Sequence, residues 1–252
     1  MELQAVDQLR TELTAATTLA AESAAAYAEQ VVNEAPEQVA AQLREAVPQL
    51  VTEYSAVAAE SGALFYETQR PTYAPARIAA PSIGDALAAD LSWAMVPVFN
   101  TDGFELPVLE LVSRLSGIVQ KHTAAGMRDT IMLSSSQDPD SYGVARYARS
   151  NACAFCKYLS AMEATVYEET VWHRNCYCVT VPWWEDNPLP EDPNRDTWAQ
   201  AAEKARAELQ RLQYETKPDG MRWRNFFKAR PDLAMNTRNI SRLMRAELGT
   251  GH

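Results

Sequence analysis

All four cysteines of this 252-residue chain fall within 26 residues, at Cys153, Cys156, Cys176 and Cys178, and His173 lies among them. The run reads C-A-F-C, sixteen residues, then H-R-N-C-Y-C. Cysteines scattered for packing would not cluster so tightly. Zn²⁺ takes four tetrahedral nitrogen and sulfur ligands, and a C-x-x-C segment lets two thiolates reach one ion. The H-x-x-C pair can supply two more in the same way. Five candidates compete for four places: Cys153, Cys156, His173 and Cys176 form the most ordinary set. Cys178 can replace His173 or Cys176, because positions 176 and 178 of a strand point to the same side. With four protein ligands no position stays open for a substrate water, so the expected ion is structural. Two other readings stand beside it, namely disulfide or redox chemistry and plain buried thiols. Against the first, no secretory signal is expected from the N-terminus MELQAVDQLRTEL, a reducing compartment disfavours disulfides, and no strand–helix context for a redox C-x-x-C is expected.

Around this cluster the pattern is mainly helical. Leu3, Val6, Leu9 and Leu13 recur at spacings of three and four, and Ala is dense from Ala15 to Ala28. Glu34-Ala35-Pro36 breaks the helix, and Pro36 suits the first turn of the next. That second stripe runs Val39, Leu43, Val47, Leu50, Tyr54, Val57, with a kink expected at Pro48. Residues 1–69 thus predict a long helical hairpin, and 70–81, with Pro71, Pro75 and Pro81, an extended linker. Residues 82–143 predict central helices, one capped by Ser82 and one opened by Asp102 with Leu106, Leu109, Val112, Leu115, Ile118 and Val119 inward, before a polar boundary at 134–143. Residues 144–182 change character: Tyr158, Thr165, Val166, Tyr167, Val171, Trp172, Tyr177, Val179 and Val181 predict short strands around the cysteines. An acidic, Pro-rich linker follows at 183–193. Residues 194–252 predict helices, the first capped by Asn194 or Asp196, ending in a basic tail. The expected fold class is mainly α with a small α+β zinc-stapled module, in which the metal substitutes for a core that a unit of roughly 40 residues cannot build.

Charge divides along the chain. The net is −10, but residues 1–150 hold 9 basic and 19 acidic side chains, and residues 217–252 hold 8 basic and 3 acidic. The acidic majority excludes a whole-surface nucleic-acid binder. It suits residues 1–65 to a protein partner, while the tail can face DNA or an acidic surface. In R-W-R-N-F-F-K-A-R, cations interleave with aromatics, as in strand-binding proteins. The plainer reading docks Trp223, Phe226 and Phe227 on the protein itself. No stretch is long and apolar enough for a membrane span.

The chain offers little for catalysis. Of three histidines, His173 is expected on metal and His252 is the last residue, leaving His122. Ser134, Ser135 or Ser136 could serve as nucleophile only if the fold brought His122 and an acid such as Asp129 alongside. Cys153 or Cys178 with His173 would compete with metal binding. G-x-S-x-G, H-E-x-x-H, P-loop and dinucleotide motifs do not occur.

The segment ACAFC followed by HRNCYCVTVP resembles the C-terminal signature of the MuF-type minor head morphogenesis proteins of tailed bacteriophages, over residues 144–182. The Ala- and Arg-rich composition is similar to members from phages of actinobacteria. Arg174 and Tyr177 depart from the commoner HPNCRC form, and the usual Gly shortly after the C-x-x-C is missing. None of these is a ligand position. The resemblance implies a low-copy structural protein of the capsid interior, made in the bacterial host cytoplasm. It implies association with the portal or the major capsid protein, in some members ejection with packaged DNA, and leaves a homo-oligomer open. Genes at this position are often labelled capsid maturation proteases, so cleavage of head proteins is the alternative activity.

Overall fold

The computed structural model describes residues 1–99, 105–162 and 176–249. The chain divides into two compact units, Met1–Val144 with Val166–Pro190, and Ala145–Thr165 with Glu191–His252.

The first unit is built on three long helices: α1 (Leu3–Val31), α2 (Pro36–Gln69) and α5 (Glu105–Gln137), with the shorter α3 (Asp85–Ala94) and α4 (Val96–Phe99) between α2 and α5. The apolar stripe of α1, from Val6 through Leu9, Leu13, Ala20, Ala24 and Ala28 to Val31, is buried along its length. The α1–α2 turn falls where Glu34-Ala35-Pro36 predicts it, with Pro36 in the first turn of α2. Pro48 stays inside one continuous helix, and Thr52 donates a 2.8 Å hydrogen bond to its carbonyl. A Ser23 to Tyr54 hydroxyl contact of 2.7 Å ties the hairpin across. Val39, Leu43, Val47 and Val51 of α2 join Leu87 and Leu91 of α3 and Leu111, Leu115, Ile118 and Val119 of α5 in the core.

The α2–α5 packing is unusually close. An added Cβ at Gly126 would stand 2.3 Å from the Ser55 carbonyl oxygen, and one at Gly62 would stand 2.7 Å from that of Met127. Ser55 also donates to the carbonyl of His122 at 3.0 Å. Since Ser55 faces 122–126, Gly62 faces Met127, and the Tyr66 hydroxyl reaches Asp138, the two helices run in the same direction. The chain must therefore travel back, and the Pro-rich segment does so. The Arg77 N–H donates to the Ser134 hydroxyl (2.8 Å) and the Ala79 N–H to the Thr130 hydroxyl (3.0 Å). The backbone of Ser82 lies near the His122 imidazole and favours its charged form. Five extended residues cover about 17 Å, close to the roughly 18 Å of twelve helical residues from Ser134 to His122. The expected linker is extended, but it is a strap bonded along α5.

The second unit packs α6 (Ala154–Ala161), α7 (Arg195–Thr216), α8 (Trp223–Ala229) and α9 (Thr237–Leu248), with a 3₁₀ turn at Pro231–Leu233 between the last two. Ala154 and Tyr158 meet Ala201, Ala202, Ala205, Leu209, Phe226, Ile240 and Met244. Asn236 caps α9 by accepting from the Asn239 N–H at 3.0 Å. Gly249 ends α9 at φ 61°, a left-handed cap that favours glycine.

Strands β1 (Gly143–Tyr147) and β2 (Val179–Trp183) form a two-stranded sheet. The Tyr142 N–H donates to the Trp183 carbonyl at 3.1 Å, setting the start of β1 beside the end of β2.

Several expectations need correction. The cap of α3 is Gly84 rather than Ser82. Leu109 faces outward, 69% exposed, and Leu111 takes the inward place. The helix runs through Ser134–Ser136 to Gln137, because Ser134 and Ser135 are held there by side-chain hydrogen bonds rather than left in a polar turn. Tyr158 belongs to helix α6, not to a strand: its alternation with apolar neighbours is helical packing. Asp102, Thr165, Val166, Tyr167, Val171, Trp172 and His173 lie outside the described residues.

Candidate functional site

Cys153 is the N-cap of α6 and Cys156 is buried in its first turn. The C-x-x-C pair thus opens a helix that follows a strand, a context not expected from the sequence. Cys176 and Cys178 are buried in the irregular segment that enters β2, not within a strand as expected. The sulfurs of Cys156, Cys176 and Cys178 lie within 4.8 Å of one another, a group that could hold a metal ion. Tetrahedral zinc at about 2.3 Å from each sulfur spaces sulfurs about 3.8 Å apart. The three donors fit such an ion with small adjustments. His173 lies outside the described residues.

The residue that positions the C-Y-C segment had no sequence signal. Arg128, on α5, is fully buried. Its Nε donates to the Cys178 carbonyl (3.0 Å), and its Nη2 to the carbonyls of Cys176 (2.5 Å) and Cys178 (2.8 Å). A guanidinium fixes several donors in one plane, so it holds both carbonyls of a Cys-x-Cys at once.

A second polar centre closes the end of the α2–α5 pair. Asp138 accepts from Arg70 Nε at 2.6 Å and Nη2 at 2.7 Å, from the Tyr66 hydroxyl at 2.6 Å, and from the Trp184 indole at 3.0 Å. The Arg70 guanidinium holds the Asp138 carboxyl well below the usual carboxylate range, against burial that raises it. Burial and the Asp138 carboxylate push the Tyr66 hydroxyl far upward. Asp138→Asn should cost about 2 kcal/mol, less than the ~3–5 kcal/mol of removing one partner outright, because the amide keeps part of the hydrogen bonding. The folded carboxyl lies below its unfolded value, so this stabilisation is full above about pH 4 and lost as pH falls. Melting temperatures of both forms across acidic pH should converge as acidity rises. A constant gap would reject the charge account.

The three groups weighed for catalysis are not brought together. His122 and Ser134 are twelve residues apart on α5, about 18 Å along a helix axis. Ser134 donates instead to the Thr130 carbonyl at 2.7 Å, and Ser135 contacts Ser141. The carboxylate beside His122 is Asp90, at 3.0 Å, which also accepts from Lys121 at 2.7 Å. Asp129 stands elsewhere, its carboxyl raised by burial. Burial pushes the His122 imidazole down, with Asp90 pulling it back. Burial also raises Asp90, but hydrogen bonds from Lys121 and His122 outweigh it. The residues at 122 and 90 act as a link between α5 and α3.

No helix among the described residues is long and apolar enough to cross a membrane. No curated protein and no solved structure matches the chain. The family model described as VG15 protein matches residues 1–205, which include every cysteine and end within α7. Hence the chain belongs to the VG15 protein family, a phage-associated family of viral gene products.

Proposed function

We propose that this chain is a structural minor capsid or head morphogenesis protein of MuF type, built into the head of a tailed bacteriophage. It acts through protein contacts with the portal or the inner face of the shell, and a structural zinc ion fixes its cysteine segment. The observation that carries the reading is the group of three buried sulfurs at Cys156, Cys176 and Cys178. It falls inside the stretch that resembles the MuF signature and inside a chain of a phage-associated family. The fourth ligand comes from Cys153 or His173. When bound, the ion supplies cross-linking rather than reactivity, since protein ligands fill its coordination.

Two measurements test this. Purified protein should hold close to one zinc per chain by elemental analysis. Cys176→Ser should lose it, and a strong chelator should lower the melting temperature of the parent but not of the variant. Metal-free protein that melts unchanged in chelator would reject the zinc. Antibody labelling of purified, disrupted phage heads should find the chain with portal or shell. Its absence from heads would reject the structural role.

A further inference from the structure

The two compact units carry opposite charge. The first holds 8 basic and 23 acidic residues and the second 15 basic and 10 acidic. Within the second unit the excess is local. On α7, Arg211 is matched by Glu208 and Glu215, and Lys204 by Glu247 of α9. On the α8–α9 segment, Arg230 is matched by Asp232. Arg222, Arg224, Lys228, Arg238 and Arg245 are all exposed, and no carboxylate pairs with any of them among the described residues.

These cations stand on two ordered helices rather than on a loose tail. Arg224 and Lys228 are four apart and share a side of α8. Arg238, Arg242 and Arg245 follow at the spacing of one face of α9, opposite the buried Ile240 and Met244. α9 is fixed to the turn at Pro231–Leu233 and the residue after it. The Asn239 amide donates to the carbonyls of Pro231 and Ala234, each at 2.8 Å, and Arg242 to that of Asp232 at 2.9 Å.

We infer that the exposed cations of α8 and α9 bind the phosphate backbone of nucleic acid, without base readout. The chemistry selects this class. The patch is nearly all arginine, whose fork matches phosphate oxygens. A membrane surface would need an apolar face to insert, but the apolar side of α9 is buried in the unit. Of the aromatics that the sequence interleaves with these cations, Phe226 and Phe227 are buried or half-buried and Trp223 is 38% exposed. Phe226 is buried, Trp223 stacks on Phe227 with centroids 5.5 Å apart, and Lys217 lies 5.0 Å over the Trp223 ring. With two of the three rings covered, the cations rather than base stacking carry the binding. This surface lies beyond residue 205, outside the stretch matched by the family. It goes beyond the head-protein reading and does not depend on the metal.

The test is fluorescence anisotropy of the full chain with a labelled duplex of mixed sequence and its single strand, over a salt series. Five neutralised phosphates predict a log–log salt slope of about −4.5 on duplex, so affinity falls about 500-fold between 50 and 200 mM salt. The triple variant Arg224→Gln, Arg238→Gln, Arg245→Gln should lose at least about tenfold in affinity and flatten the slope by about three. The control Lys204→Gln, Arg211→Gln removes charge from α7 and should bind nearly as the parent. Tyr214→Ala, which removes the exposed ring beside Trp223, should change neither ligand. The inference is overturned by absence of binding at low salt, or by equal losses in triple variant and control. It is also overturned by a loss confined to single strands in Tyr214→Ala, or by polyglutamate failing to be distinguished from DNA as a ligand. Zinc content and head incorporation are read separately, so failure here leaves the head role standing.

Discussion

Arg128→Ala should lower the stability of the chain by about 4 kcal/mol, within the range for breaking a buried charge-assisted contact. The side chain is among the largest that are fully buried. Its removal empties that volume and leaves the carbonyls of Cys176 and Cys178 without the donors that hold them. Two variants separate the contributions. Arg128→Met fills most of the space, so it reports the hydrogen bonds and charge. Arg128→Lys restores a charge but offers a point donor in place of a planar fork, and should recover no more than about half of the loss. Urea unfolding followed by circular dichroism gives the stabilities. Zinc titration of the same variants reads the second consequence, a weaker metal site, because the cysteine backbone is no longer held. If Arg128→Ala unfolds within about 1 kcal/mol of the parent, the guanidinium is not what positions the segment.

The cysteine cluster was legible because ligand chemistry is written in residue type and spacing. Of the five candidates, Cys156, Cys176 and Cys178 are grouped closely enough that they could hold a metal ion, while Cys153 lies outside that group. The groups that support them were not legible. Arg128 reads as one more charge on a helix that also carries Lys121 and Asp129, and only the fold turns it inward. Asp138 sits in a polar Ser-Ser-Ser-Gln-Asp run, and its four donors come from Tyr66, Arg70 and Trp184, distant in sequence. Helical periodicity found α1 and α2 to within a few residues, since Pro36 and the alanine stripe mark their ends and faces. It failed on Leu109, where the stripe of α5 continues past the edge of the core and one apolar residue stays exposed. It failed on Tyr158 because aromatic residues favour strands on average, while here the ring packs within a helical core with Ala201 and Ala205. The prolines of residues 70–81 mark an extended linker but not a strap. The hydroxyls of Thr130 and Ser134 that bind it belong to another element, and no local pattern announces them.

Gly126→Ala isolates a conflict between local and tertiary physics. In an exposed helix, exchanging Gly for Ala gains about 1 kcal/mol, from restricted unfolded-chain entropy and better propensity. At position 126 the new methyl would stand 2.3 Å from the Ser55 carbonyl oxygen and 3.0 Å from its carbon. Those are backbone atoms of α2, so no rotamer change can make room. The helices must separate by roughly 1 Å, which loosens contacts along their length and strains the Ser55 to His122 bond. Overpacking of this kind costs about 1–3 kcal/mol, and more where backbone must move. A net loss of about 3 kcal/mol is expected after the propensity gain is included. Gly62→Ala meets the Met127 carbonyl at 2.7 Å, a milder clash that should cost about half as much. The pair should be less damaging than the two singles added together, because a gap opened by the first methyl already admits part of the second. Equilibrium unfolding of the two singles and the double measures this directly. A Gly126→Ala protein more stable than the parent would mean that α2 and α5 do not approach at Ser55, and that the close-packed pair is not what carries Asp138 and Arg128 to their places.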